Sequence, residues 1–166
     1  EEEKLEKFGI FYELLLETNK SFNLTAITEM HEVVLKHFVD SIMIEKCFSL
    51  SKEIEKQCCP IKRIADVGTG AGFPGIPLAI LYPNIVLEKA NIKNVTVVHG
   101  RAEDLGQDSN YREKFDMCVS RAVASLPVLL ELCTPFVKVG GKCVSYKSEL
   151  LKEELGQSKS ALSILH

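Results

Sequence analysis

Arg63-Ile64-Ala65-Asp66-Val67-Gly68-Thr69-Gly70-Ala71-Gly72-Phe73-Pro74-Gly75-Ile76-Pro77-Leu78-Ala79-Ile80-Leu81 is a strand running through a glycine turn into a helix. Arg63 to Val67 is a short, mostly apolar run of the kind that forms a buried strand. Gly68 to Gly75 is rich in glycine, and Pro74 to Leu81 reads as a helix with proline in its first turn, where a missing N–H costs nothing. Such a unit is a nucleotide-binding device. Glycines let the backbone come close to a ligand, and the helix start offers unbonded N–H groups.

The spacing of the glycines narrows the ligand. The dinucleotide fingerprint is GxGxxG, whose N–H groups meet a pyrophosphate. Here Gly68, Gly70 and Gly72 make GxGxG, and the place of the third dinucleotide glycine is taken by Phe73. A bulky ring there hinders close helix–strand packing and the approach of a pyrophosphate, so the loop suits a ligand without one, such as S-adenosyl-L-methionine. Asp66, at the strand end, is placed to take the positively charged amino group of a methionine moiety. A nicotinamide oxidoreductase is disfavoured on the same ground.

Outward from this unit the pattern repeats. Ile85-Val86-Leu87, Val95-Thr96-Val97-Val98, Phe115-Asp116-Met117-Cys118-Val119 and Lys142-Cys143-Val144-Ser145-Tyr146 read as further strands, and Leu126 to Val137 as a helix before Gly140-Gly141. Strands alternating with helices predict a Rossmann-like α/β domain with a parallel sheet covered on both faces. One interval does not fit. Glu88 to Asn94 is seven residues, whereas a parallel crossover needs about a dozen or more. A crossover segment is expected to be missing near residues 87–88, and the last strands of such a sheet are expected to be missing after His166.

Residues 1–57 have a different texture and predict an N-terminal helical extension to a core at 58–166. Leu5, Phe8, Phe11/Tyr12 and Leu15/Leu16 recur at helical spacing over about residues 2–19, with Asn19 and Ser21 as the stop. Thr28 is the expected N-cap of a second helix that buries Val33, Val34, Phe38, Ile42 and Ile44.

The composition is that of an ordinary globular chain: 166 residues, 46% hydrophobic and 26% charged. No apolar run nears the roughly 18–20 residues of a membrane span, and the Glu1-Glu2-Glu3-Lys4 start does not read as a secretory signal. Cys47, Cys58, Cys59, Cys118, Cys133 and Cys143 contain no CxxC pair, so no zinc ribbon and no metal site is expected. Cys118 and Cys143 read as small buried hydrophobes. A reducing, cytoplasmic setting and no membrane partner follow from these points as expectations. The net charge of -3 speaks against a general nucleic-acid coat protein gripping by charge alone.

Four segments together resemble one family. The run Asp66 to Ile80 is similar to the cofactor loop of the RsmG (GidB) family, the guanine-N7 methyltransferases of small-subunit (16S) ribosomal RNA. Asn23-Leu24-Thr25-Ala26-Ile27 with Lys36-His37-Phe38-Val39-Asp40-Ser41 resembles its N-terminal motif. Asn94 to Asp104 resembles its third-strand region, and Val119-Ser120-Arg121-Ala122-Val123-Ala124-Ser125-Leu126 its fourth. These run in the family's order along nearly the whole chain.

The resemblance implies a class I methyltransferase sheet and a methyl transfer from S-adenosyl-L-methionine, leaving S-adenosyl-L-homocysteine, to N7 of a guanine in 16S rRNA or the small ribosomal subunit. It implies that Asp66, Gly68, Thr69, Gly70, Gly72 and Phe73 form the cofactor loop. Ala102 and Glu103 would read the adenine, and Arg121 would contact the cofactor or the guanine. His37 and Asn23 are candidates beside the base, with Arg121, for any catalytic contribution. N7 carries a free lone pair and no proton, so no general base is needed and proximity is the main device. A methyltransferase acting on a small molecule or a protein, and a non-catalytic RNA-binding module, are the competing readings.

Overall fold

The computed structural model describes residues 1–84, 86–87, 94–147, 154–156, 158–159 and 163. The chain opens with α1 (Glu2–Phe22). A helical run follows: α2 (Met30–Val33), a π-helical segment at Val34–Val39, α3 (Asp40–Ile42), α4 (Ile44–Phe48) and α5 (Leu50–Glu55). Then come β1 (Arg63–Asp66), α6 (Gly75–Leu81), β2 (Val86–Leu87), α7 (Ala102–Leu105), β3 (Phe115–Arg121), α8 (Leu126–Cys133), a 3-10 turn at Thr134–Phe136 and β4 (Val137–Tyr146).

The four strands form one sheet in the order β2-β1-β3-β4, and every pairing is parallel. The expected Rossmann-like α/β architecture with helices preceding it is therefore what the chain adopts. Ile64 lies beside Met117, Ala65 beside Cys118 and Asp66 beside Val119. Because successive side chains alternate faces, Ile64, Met117 and Val119 join one apolar layer with Ile44, Leu50, Leu78 and Ala79. Ala65 and Cys118 join the opposite layer with Leu129, Cys133 and Phe136. Helices thus cover both faces, as a parallel sheet requires.

A third apolar cluster ties the N-terminal helices to the glycine loop. Phe11 and Leu15 of α1, Val33 and Phe38 of the second helical run, and Phe73 and Ile80 pack together. Lys4 reinforces this from the other end of α1, donating from Nζ to the Leu81 carbonyl at 2.8 Å. A cation at that position also suits the C-terminus of α6.

Several expected boundaries move. Helix α1 runs on to Phe22 and ends at Asn23, whose backbone is left-handed (φ 48°, ψ 48°). Asparagine tolerates that conformation better than most residues. The second helix begins after Glu29 rather than Thr28, with no side-chain cap. The helix expected at Leu126–Val137 stops at Cys133, and β4 starts at Val137, five residues before the expected Lys142. The strand passes through Gly140-Gly141 instead of starting after it. Gly140 has a positive φ of 80°, and a Cβ on Gly141 would fall 2.8 Å from the Asp116 carbonyl oxygen. The β3–β4 register shifts at this place, between Phe115 and Met117, and Phe115 and Met117 belong to opposite apolar layers.

Val95–Val98 is not a strand. Val95 makes an isolated bridge, and Thr96 to Val98 have no regular secondary structure. The link from β2 is too short to carry the chain back across a sheet face and lay down another parallel neighbour. Ile85 and Glu88 lie outside the described residues.

Candidate active site

The sheet's order puts a switch point between β1 and β3. The connection from β1 leads to β2 on one side, and the chain then returns to β3 on the other. In open parallel sheets ligands sit outside the carboxyl ends of the strands at such a point. Asp66 ends β1 and Arg121 ends β3, so the two flank it.

On the β1 side the backbone hugs its neighbours. Gly68 has φ +72°, and a Cβ there would lie 2.4 Å from Cγ2 of Val123, in the turn after β3. Only glycine satisfies both the left-handed backbone and the contact. Asp66 is 9% exposed, and its Oδ2 accepts from the Gly75 N–H at 2.8 Å, tying strand end to helix start. Beyond Gly68 the loop folds on itself, the Thr69 carbonyl accepting from Gly72 at 2.9 Å and Phe73 at 3.1 Å.

A cavity of about 210 Å³ opens beside this turn, lined by Asp66, Gly68, His99, Ala102, Leu105 and Phe115 among others. That is below the roughly 300–1,000 Å³ of whole-ligand pockets and suits a flat ring with two apolar faces.

On the β3 side lies a connected polar network over an aromatic floor. The Phe73 ring is 3% exposed, wedged between Phe11 and Phe38. The His37 ring stacks on it at 4.6 Å, and the Arg121 guanidinium carbon stands 4.9 Å from its centroid. Arg121 donates from Nη1 to Asp40 Oδ2 at 2.9 Å and from Nη2 to His37 Nδ1 at 3.2 Å. Guanidinium can only donate, so Nδ1 is the acceptor and the imidazole proton sits on Nε2, 3.0 Å from Thr25 Oγ1. Burial, and then the Arg121 charge, push the His37 pKa below its ordinary value. Thr25 is itself pinned by Asn19, which accepts from its N–H at 2.8 Å and donates to its carbonyl at 2.9 Å.

His37 lies in the π-helical segment Val34–Val39, a departure from α geometry that recurs at functional sites. His37 reaches the guanidinium from this segment and Asp40 from the first residue of α3 that follows it.

The expected site residues therefore separate into groups. Asp66, Gly68 and Ala102 line the cavity. Arg121, His37 and Phe73 form the network, with the Phe73 ring as its floor rather than an open wall. Thr69, Gly70 and Gly72 shape the turn without lining the cavity. Glu103 turns outward, its side chain 49% exposed and paired with Arg101 at 2.9 Å. Asn23 is exposed and ends α1. Sequence reasoning missed Asp40, Thr25, Asn19 and His99. Asp40 was visible in principle, since helical spacing from His37 puts it on the same side.

Comparison with known proteins identifies the family. A family model described as rRNA small subunit methyltransferase G matches residues 4–89 and 84–166. A protein named ribosomal RNA small subunit methyltransferase G from Acetivibrio thermocellus is 45% identical over 187 residues, covering 99% of this chain and 71% of the relative. Proteins of the same name from a Thermoanaerobacter species and from Leuconostoc citreum are 44% and 41% identical, over 97% and 99% of the chain and 71% and 73% of the relative. The Acetivibrio alignment is longer than the 166-residue chain, so that relative carries residues this chain lacks. With matches of this extent spanning both the N-terminal helices and the sheet, the chain belongs to the rRNA small subunit methyltransferase G family.

Proposed function

We propose that this chain transfers a methyl group from S-adenosyl-L-methionine to N7 of a guanine in 16S rRNA. The observation that carries the reading is Arg121. Its guanidinium is held by Asp40, His37 and the face of Phe73, a residue of the glycine loop, at the switch point. The names of the relatives support ribosomal RNA as the substrate.

The residues present fit the donor. The cavity beside Gly68 and Ala102 has room and apolar walls for an adenine ring. The buried Phe73 ring fills the place where a dinucleotide site needs glycine, which disfavours a pyrophosphate. When bound, S-adenosyl-L-methionine supplies an electrophilic methyl group on a sulfonium. Asp66, Gly68, Thr69, Gly70, Gly72 and Phe73 form its loop on this reading; Ala102 faces the adenine, and Glu103 reaches it by turning inward from its Arg101 pair.

The chain's own task is alignment. A donor on N7 would occupy the lone pair that must attack, so Arg121 is assigned to O6 of the guanine, leaving N7 open. His37 holds Arg121 in place beside the incoming nucleotide, with Asn23 farther out at the exposed end of α1. The base must leave any stack to reach this depth. Residues 1–57 act as a helical extension that brings His37 and Asp40 to Arg121, and 58–166 as the donor-binding core. The family match breaks into two segments at 84–89, which supports a crossover segment missing near 87–88. The cytoplasm is the proposed location. Among the described residues no helix is long and apolar enough to cross a membrane.

Incubation with tritium-labelled donor against small ribosomal subunits, free RNA and protein pools tests the reading. Label confined to the ribosomal RNA is expected. Label in protein or small molecules overturns it, and donor binding without transfer points to a binding module.

A further inference from the structure

The fold gathers three cysteines that are far apart in the sequence. Cys118 of β3 and Cys143 of β4 are register partners on adjacent strands. Cys133 ends α8. The three sulfur atoms all lie within 4.8 Å of one another. Cys118 and Cys133 are fully buried and Cys143 is half-buried, so the cluster has two inner ligands and one that gives access. The spacing of the cysteines along the chain hides this site, because sheet pairing and a packed helix create it.

The surroundings select the ligand. Ala65, Val67, Leu129 and Phe136 belong to the same apolar layer. Thiolates favour soft, thiophilic ions, but a net charge left in such a layer is costly. Three thiolates on zinc(II) or mercury(II) leave a complex of charge minus one, and on copper(I) one of minus two. Structural zinc also calls for a fourth ligand. Three thiolates on a trivalent centre give a neutral complex that needs no fourth ligand.

We propose that Cys118, Cys133 and Cys143 form a three-thiol binding site for a trivalent thiophilic metalloid, with arsenic(III) as its probe. Arsenous acid condenses with the three thiols. Three As–S bonds form, three As–O bonds break, and the three thiol protons leave with the hydroxyls as three waters. No oxidation state changes. The product clamps β3, β4 and α8 together.

The exposed neighbours Cys58 and Cys59, with sulfurs 3.8 Å apart, are a rival dithiol, so the test uses the full chain carrying Cys58→Ser and Cys59→Ser. Reduced protein is titrated with sodium arsenite and weighed intact by mass spectrometry under non-denaturing conditions. The expected adduct is one arsenic less three hydrogens, with a thermal midpoint that rises with arsenite concentration. Cys143→Ser, at the half-exposed position, is expected to weaken binding at least tenfold and to leave a hydroxyl on the arsenic. Cys133→Ser should do the same if it folds. No adduct, or an adduct on the intact trio that keeps a hydroxyl, overturns the proposal. So does zinc(II) displacing arsenic(III) from the site.

Discussion

Arg121 donates to Nδ1 of His37 at 3.2 Å, and this contact decides the imidazole's tautomer. With Nδ1 occupied as an acceptor, the only ring proton faces Thr25. A second proton on the ring would turn Nδ1 into a donor and set it against the guanidinium.

The pH response follows. The His37 pKa is lowered in the folded protein, by burial first and by Arg121 second. As pH falls, the unfolded chain takes up this proton before the folded one does, so stability drops. The loss begins near the ordinary value of 6.5 and levels off below the folded value. Urea melts from neutral pH into mild acid are expected to show a flatter acid limb in His37→Gln than in the natural chain. Parallel limbs would mean that His37 titrates normally.

Asp40 is expected to act through Arg121. Its side chain is 48% exposed while that of Arg121 is 15% exposed, so Asp40→Ala should fold and yet release the guanidinium. A misplacement of about 1 Å can cost on the order of a hundredfold in rate. Asp40→Ala and Arg121→Lys are both expected to lose turnover on that scale with donor affinity little changed. A single-turnover assay beside calorimetry separates the two effects.

Asp116 is expected to matter for stability alone. Its Oδ2 accepts from the N–H groups of Lys62 and Arg63 at 2.9 Å each, and its Oδ1 from Lys138 at 2.7 Å. Burial would raise its carboxyl, but these hydrogen bonds outweigh that and hold it below the ordinary 3.8. Its contribution is thus complete at neutral pH and is lost as pH falls through the folded value. Asp116→Ala should cost about 1–3 kcal/mol in denaturant melts at pH 7, with methyl transfer per folded molecule unchanged.

Glu103 provides a sharper test of the donor assignment. The carboxylate is half-exposed and paired with Arg101, yet the proposed adenine contact requires it to turn inward. Glu103→Ala is expected to weaken S-adenosyl-L-methionine about tenfold, the equivalent of one charged hydrogen bond. Unchanged affinity by calorimetry would leave Glu103 as a surface ion-pair partner of Arg101.

The legible parts of the fold were the local ones. Strand β1, the glycine turn and α6 follow each other in sequence, and each carries its own signal in composition. Val95–Val98 shows where such signals fail. Its β-branched residues favour a strand, but a strand needs a neighbour, and that depends on chain far away. Gly140-Gly141 misled for a similar reason, since only pairing with β3 carries β4 through that pair. In the candidate site, Gly68 and Arg121 lie in motifs that the sequence displays, whereas Asn19 and Thr25 join through a loop contact that spacing does not reveal. The three clustered thiols are likewise a product of strand pairing.

The most direct measurement is the identity of the methylated base. Small ribosomal subunits lacking the modification are treated with the protein and S-adenosyl-L-methionine, and the RNA is digested to nucleosides for mass spectrometry. The expected product is 7-methylguanosine, formed by the natural chain and lost in Arg121→Ala. A methyl group on another atom or another base, or undiminished 7-methylguanosine in Arg121→Ala, would contradict it.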